Sequence, residues 1–168
     1  IACDFAAKGY ALCVVNTGGD HGDLTDDYAA IRKEMEAVAA HFGKHVLREV
    51  ELETVESHIG ELRRACGDRA VLRALHYYDE NARVLEQAAA IRGGDLPAFF
   101  DAVKRSGDSS WKLLQNVYAR STEEQMAMGI ELSRRFLHGD GAQRVHGGGF
   151  AGTIQAYVPL DRLDDYKK

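Results

Sequence analysis

Proline and cysteine are scarce in this chain of 168 residues, which contains two prolines and three cysteines. An odd number of cysteines without a signal-peptide pattern indicates reduced thiols rather than a disulfide framework, and therefore a cytoplasmic protein. No long uncharged apolar run occurs and the mean hydropathy is -0.32, which excludes a membrane span. Because repeats and low-complexity tracts are also absent, we expect residues 1–168 to form one domain without an internal linker.

An excess of positive charge is also lacking. Lysine and arginine total 21 against 26 aspartates and glutamates, so the net charge is -5. Such a chain offers no basic surface for nucleic acid or anionic lipid, which favours small-molecule or protein partners. Apolar residues make up 45% and charged residues 28%, as in an ordinary folded domain. The sequence begins with Ile1 rather than methionine, and we expect it to be a piece of a longer protein.

Helical periodicity dominates the middle of the sequence, where apolar residues recur every three or four positions. The predicted helices run from Thr25 to Gly43, from Val55 to Cys66, from Asp68 to Gly93, from a cap at Asp95 to a break or kink at 106–110 that precedes Trp111 to Tyr118, and from Glu124 to Gly139. Such a series of amphipathic helices must bury its apolar faces against a common core.

Alternation typical of strands is confined to the two ends of the chain. Residues 1–16 predict a hairpin hinged near Ala7 to Gly9, with Cys3 facing Cys13. Two further strands are predicted at 142–146 and 153–158, on either side of a run of glycines. Strands at both ends with helices between them indicate an α+β domain, in which the helices cover one face of an antiparallel sheet.

Four of the 17 glycines lie within residues 147–152, in a pattern that reads G-x-G-x-x-G. A dinucleotide-binding loop requires a helix after the last glycine, whereas here a strand follows and leads into Pro159. A Walker loop is excluded because no Gly-Lys-Ser/Thr follows. Two interpretations of this segment remain open: a hairpin turn without a ligand, and a loop whose backbone approaches a ligand closely.

The stretch R-V-H-G-G-G-F-A-G-T-I-Q-A-Y-V at 144–158 resembles the third glycine motif of the GHMP kinases, and specifically of the galactokinases. Two upstream segments are similar to the same family. The first, H-x-L-x-x-x-Y-x-x-x-R, is formed by His21, Leu24, Tyr28 and Arg32, and the second by Arg73, His76, Glu80, Asn81, Arg83 and Val84, followed by Gly94-Asp95-Leu96. Together these similarities run from about Asn16 to Pro159.

The resemblance implies the C-terminal, ferredoxin-like domain of a two-domain, ATP-dependent sugar kinase. By this resemblance Tyr28 reaches the sugar, and Gly147, Gly148 and Gly149 lie beside the phosphates. ATP and Mg²⁺ would be bound mainly by an N-terminal domain of the same chain. The catalytic Asp would lie there as well, so no catalytic residue is expected in this sequence. A GHMP kinase for another sugar and a non-catalytic, GHMP-like sensor or scaffold are the alternatives.

Two residues depart from the family pattern. Asp20 occupies a position near which many relatives have a basic residue, so a phosphate-binding cation cannot be carried over to this loop. Ala151 replaces a usual glycine. We expect alanine to be tolerated there unless the position requires a positive φ.

Other candidate residues have simpler interpretations. Tyr28 lies on the apolar stripe of its helix, so its pattern alone predicts a core position. His76, Glu80 and Arg83 share one helical face and predict a solvated or interdomain salt-bridge face rather than a catalytic site. Their spacing alone therefore identifies no reaction.

Two further pairs of residues have spacings found in functional sites. Ser109 and Ser110 could suggest a nucleophile, but no partner histidine can be placed from the sequence, so a helix break is expected. His41 and His45 have the spacing of metal ligands, but Gly43 lies between them and no glutamate follows the first histidine. We therefore predict no metal site.

Overall fold

A computed structural model describes residues 1–19, 22 and 24–168. The strands in that part of the chain are β1 (Tyr10–Asn16), β2 (Ala142–Val145) and β3 (Thr153–Pro159). The helices are α1 (Thr25–His41), α2 (Leu52–Ser57), α3 (Ile59–Cys66), α4 (Asp68–Gly93), α5 (Leu96–Ser109), α6 (Gln125–Leu137) and α7 (Leu163–Tyr166). A π-helical turn (Ser110–Leu114) continues α5, and short 3₁₀ turns lie at Ala6–Lys8, Leu47–Glu49 and Leu160–Arg162.

The three strands form one antiparallel sheet in the order β1-β3-β2. The central strand, β3, pairs Ala156 with Cys13 on one side and with Gln143 on the other. Helices and an antiparallel sheet occupy separate stretches of the chain, and the predicted α+β class is confirmed.

Helices pack on both faces of this sheet, whereas the sequence predicted that they cover one face. Tyr157 of β3 lies in a cluster with Phe99 and Phe100 of α5. Ile154, three residues earlier in β3, points to the opposite face and lies in a cluster with Met126 of α6. Because β3 is the middle strand and buries residues on both faces, each face is covered by a helix.

The predicted N-terminal hairpin is wrong. Residues 1–4 form no strand, and β1 instead pairs over its full length with β3, from Tyr10 opposite Pro159 to Asn16 opposite Thr153. The preceding segment is held by Phe5, whose ring lies 4.9 Å from that of Tyr157. Cys3 and Cys13 are both free. A partner that pairs with the whole of β1 and buries apolar side chains outcompetes a short local turn.

The long helices are confirmed, including the cap of α5, where the Asp95 side chain accepts a hydrogen bond of 3.0 Å from the Ala98 amide. The predicted stretch at 55–66 is divided at His58 into α2 and α3. Helices α1 to α4 share one core, which includes Val38, Leu62 and Val71. Within the described residues, none of the helices combines the length and apolarity needed to cross a membrane.

The segment 106–110 does not break the chain's helical path, but the regular α-helix does end there: α5 continues to Ser109 and passes directly into the π-helical turn. The serine side chains do not compete for the helix backbone, since they bond to neighbouring elements: Ser109 to His76 and Ser106 to Glu80 and Arg144. Gly107 allows the close approach of β2, because a Cβ there would lie 3.0 Å from the Cβ of Arg144. Helix α5 therefore fixes the strand that leads into the glycine run.

Candidate functional site

Residues 147–152, called here the glycine loop, connect β2 to β3. The φ angles are +68° at Gly147, +83° at Gly149 and +62° at Phe150. A positive φ is rare for an aromatic residue and marks a backbone that its surroundings hold in place. Ala151 lies outside the left-handed region, so its methyl group is tolerated, as expected.

The three successive glycines differ in what surrounds them. A Cβ on Gly149 would lie 2.1 Å from the Asn116 carbonyl oxygen, and a Cβ on Gly148 would lie 2.8 Å from Cε1 of Tyr28. A Cβ on Gly147 would meet nothing within 4 Å. The protein's own atoms therefore require glycine at 148 and 149, whereas position 147 faces open space.

Tyr28 lies against the glycine loop, although the two are 121 residues apart in sequence. Its hydroxyl donates a hydrogen bond of 2.7 Å to the Gly149 carbonyl oxygen. Its ring meets that of Phe150 edge to face, with 5.2 Å between the centroids. Burial raises the pKa of Tyr28 above its ordinary value, which keeps the hydroxyl protonated as a donor. The residues singled out by sequence are thus brought together.

Asn116 is a contact of the glycine loop that sequence reasoning missed. Its backbone oxygen accepts a hydrogen bond of 2.5 Å from the Phe150 amide, and its side-chain Nδ2 donates one of 3.0 Å to the Gly148 oxygen. Neither helical periodicity nor a motif marks this residue, because it follows the π-helical turn and Gln115, whose φ is +59°.

The amide groups of Gly147, Gly148 and Gly149 donate no hydrogen bond to any other described residue. The amides on either side are paired, that of His146 to Thr153 and that of Phe150 to Asn116. Gly147 and Gly148 are exposed, so these N–H groups lie next to solvent. Successive unpaired backbone N–H groups in a turn are suited to an anion such as phosphate.

The segment after β1 borders the other side of the glycine loop. Both the amide and the hydroxyl of Thr17 donate to the Gly152 oxygen, at 2.7 and 2.9 Å. Leu24 is buried beside Phe150. The predicted His21 and Asp20 lie outside the described residues. Arg32, the last residue of the upstream motif, is exposed and pairs with Glu36 on its own helix.

The prediction of a solvated face on α4 is wrong for His76 and Arg83, which are each 7% exposed, while Glu80 between them is half-buried. His76 bonds to Ser109 of α5, Arg83 bonds to Glu80 on its own helix, and Arg144 of β2 reaches Glu80. We call this set the polar network; its members are His76, Glu80, Arg83, Ser106, Ser109 and Arg144. Because these side chains bond to one another inside the protein, they link the elements of the fold.

Opposing effects set the ionisation of the polar network. Burial would raise the pKa of Glu80, but the Ser106 hydroxyl and the Arg144 and Arg83 guanidiniums together hold it below its ordinary value. Burial lowers the pKa of His76, which therefore lies neutral in the fold. The Glu80 carboxylate thus stays charged between two cations.

A histidine does lie beside the serine pair, contrary to the expectation that none could be placed. His76 Nδ1 is 2.8 Å from the Ser109 hydroxyl oxygen. Ser109 is 6% exposed and His76 7%, so a substrate has no access to this pair. The neighbouring Arg73 is 2% exposed and bonds to the Leu114 oxygen and to Glu34. These contacts hold α4 to the π-helical turn.

Among known proteins, this chain is similar to galactokinases. No protein-family model matches the chain. A galactokinase of Mannheimia succiniciproducens is 30% identical over 158 residues, which is 94% of this chain and 40% of that protein. A galactokinase of Haemophilus influenzae is 32% identical over the same shares. A crystal structure of Lactococcus lactis galactokinase complexed with galactose matches 94% of this chain and 39% of that one, with a TM-score of 0.74 and 18% identity.

The chain shares the fold of the matched part of that galactokinase structure, with a glycine loop between two antiparallel strands. By its sequence similarity, it corresponds to the C-terminal portion of galactokinases, which confirms the resemblance drawn from the motifs. The chain spans about 40% of the length of the curated relatives it matches.

Proposed function

We propose that the intact protein is an ATP-dependent galactokinase, which phosphorylates the anomeric hydroxyl of galactose to give galactose 1-phosphate. Residues 1–168 would form its GHMP kinase C-terminal domain, and an N-terminal domain of the same chain would complete the active site in the cytoplasm. The observation that carries the proposal is the contact of Tyr28 with the glycine loop, in a chain that matches galactokinases over 94% of its length.

In this proposal Tyr28 binds the sugar. Its hydroxyl donates to the Gly149 oxygen, and a tyrosine hydroxyl can act as both donor and acceptor toward a sugar hydroxyl. Its ring is fixed by Phe150 and by the close approach of Gly148. A half-buried tyrosine held from two sides presents its polar end in one direction.

The glycine loop would lie along the phosphates. The unpaired amides of Gly147, Gly148 and Gly149 suit phosphate oxygens, and the open space at Gly147 permits close approach. ATP supplies the transferred phosphoryl group, with Mg²⁺ to neutralise its charge. Phosphoryl transfer depends mostly on positioning and charge neutralisation, so a domain without a catalytic residue still contributes to the rate.

The acidic Asp20 supports a second candidate, in which the protein keeps the fold and binds sugar without transferring phosphate. A carboxylate in the segment that precedes α1 would oppose the phosphate charge rather than balance it. A galactokinase releases ADP and such a sensor does not, so one assay distinguishes the two.

The test measures ADP release by the full-length protein with MgATP and a panel of sugars, and identifies the phosphorylated product. A galactokinase turns over galactose in preference to the other sugars and yields galactose 1-phosphate. We expect residues 1–168 alone to be inactive in the same assay, because most of the ATP site would be missing. Galactose binding without ADP release would overturn the kinase and favour the sensor; preference for another sugar would reassign the substrate.

A further inference from the structure

The strongest unassigned feature near the glycine loop is Asn116, which is 2% exposed and lies among apolar neighbours such as Val117. Its side chain gains one hydrogen bond, from Nδ2 to the Gly148 oxygen at 3.0 Å. Its Oδ1 is buried without a partner among the described residues. An unpaired buried acceptor costs stability, so an apolar residue would serve packing better than asparagine does.

Asn116 also contacts the loop through its backbone. The Asn116 backbone oxygen accepts a hydrogen bond from the Phe150 amide. A Cβ on Gly149 would lie only 2.1 Å from the same oxygen. One residue therefore contacts three consecutive loop residues, Gly148, Gly149 and Phe150. Of these, Phe150 has a φ of +62°, a conformation that a non-glycine residue keeps only with support from its surroundings.

These contacts use loop groups other than the amides of Gly147, Gly148 and Gly149. Asn116 binds the Gly148 carbonyl and the Phe150 amide, and Tyr28 binds the Gly149 carbonyl. With the carbonyl groups of Gly148 and Gly149 bonded to protein, the amides of Gly147, Gly148 and Gly149 donate no hydrogen bond to another described residue. A loop held in this way presents its donors in advance and loses little entropy when an anion binds.

We propose that Asn116 is a positioning residue, which holds the glycine loop in the conformation that presents the amides of Gly147 to Gly149 to a phosphate. That the loop presents its amides to a phosphate rests on the proposed function, whereas that Asn116 holds the loop does not. Asn116 touches neither substrate in this account and acts only through the loop.

The test uses the full-length protein with Asn116→Ala, which removes the side-chain hydrogen bond and leaves the backbone contact to Phe150. Asn116→Ser is the second variant in case the first is insoluble, because its hydroxyl is too short to reach the Gly148 oxygen. Asn81→Ala is the matched control: Asn81 Nδ2 also donates to a backbone oxygen, that of Tyr77, but on the exposed face of α4.

Two readouts separate positioning from a general structural role. Amide hydrogen exchange at Phe150 and Ala151 should accelerate about 3- to 10-fold in the Asn116 variants and not in Asn81→Ala, the range expected for one hydrogen bond. The KM for ATP should rise by a similar factor, with the KM for galactose unchanged. Unchanged exchange, or equal shifts in both KM values, would overturn the proposal.

The two proposals fail in different ways. If the wild-type protein shows no turnover, the proposed galactokinase activity fails, and exchange at Phe150 and Ala151 still decides whether Asn116 holds the loop. If turnover is present and exchange is unchanged, Asn116 is not a positioning residue, although the kinase stands.

Discussion

The glycine loop and the polar network are neighbours in sequence, since Arg144 is three residues from Gly147, yet they use their polar groups in opposite ways. In the polar network, side chains of α4, α5 and β2 bond to one another in the interior. In the glycine loop, carbonyl groups are bound to protein, while the amides of Gly147, Gly148 and Gly149 have no partner among the described residues, and the first two of these glycines are exposed. Polar groups that are used internally stabilise the fold, and those left unpaired at the surface are available to a ligand.

Glu80→Ala should cause the largest loss of stability, because it removes the common acceptor of Ser106, Arg83 and Arg144. Two largely buried guanidiniums would lose their partner, which we expect to lower the free energy of unfolding by about 3 kcal/mol. Urea unfolding of residues 1–168 measures the change. The control is Glu36→Ala, which breaks an exposed pair with Arg32 and should have no measurable effect. Equal behaviour of the two variants would show that the polar network contributes nothing beyond a surface pair.

Gly149→Ala and Gly147→Ala form a matched pair within the glycine loop. Both positions have positive φ, which costs alanine about 1–2 kcal/mol. Only Gly149 would also force a methyl group against the Asn116 oxygen, so its total cost should be about 2–4 kcal/mol. In the full-length protein Gly147→Ala should instead raise the KM for ATP, because its methyl group enters the open space. Equal stability losses would contradict the crowding at Gly149.

Acidification should weaken the fold through His76. Its pKa is lowered by burial, so the unfolded chain takes up the proton first as the pH falls. Stability is therefore complete above the ordinary histidine pKa and is lost as the pH falls towards the folded value. Melting temperatures between about pH 7.5 and about pH 5.5 should decrease less in His76→Gln than in the wild type. The control His45→Gln replaces an exposed histidine and should show the same decrease of melting temperature with pH as the wild type. The same decrease in His76→Gln would rule out this linkage.

Tyr28→Phe should have the smallest effect, because it removes one hydroxyl, with its hydrogen bond to the Gly149 oxygen, and keeps the ring on Phe150. We expect a loss of about 0.5–1.5 kcal/mol in kcat/KM for galactose, with a melting temperature close to that of the wild type. Tyr77→Phe, on α4, controls for the loss of a tyrosine hydroxyl elsewhere. A kinetically silent Tyr28→Phe, together with a Tyr28→Ala that only lowers the melting temperature, would make Tyr28 a core residue.

Sequence reasoning worked where the determinants are local. The apolar period of α4 and the cap at Asp95 specify helices through neighbouring residues, and the change of period after Gly139 specifies β2 and β3. It failed at the N-terminus, because β1 takes a partner that begins 137 positions beyond its own end, as Asn16 opposite Thr153 shows. Local turn signals do not indicate whether β1 pairs with the residues just before it or with β3.

The candidate site divides in the same way. Tyr28 and the glycines were found because they lie within motifs of recognisable spacing. Asn116 and the pairing of His76 with Ser109 were missed, because each depends on elements that meet only in the folded chain. The burial of His76 and Arg83 was misjudged for a similar reason. Ser109 of α5 pairs with His76, and Arg83 pairs with Glu80, which is itself held by Ser106 of α5 and Arg144 of β2.

The central claim, that the free amides of the glycine loop face a phosphate, is tested most directly by hydrogen exchange in the full-length protein with and without galactose and the magnesium complex of a non-hydrolysable ATP analogue. We predict slower exchange at Gly147, Gly148 and Gly149 when the analogue is bound, and no change at the turn around Gly94 between α4 and α5. Unchanged exchange at all three glycines, under conditions where calorimetry shows the analogue to be bound, would contradict the claim and leave the loop as a structural turn.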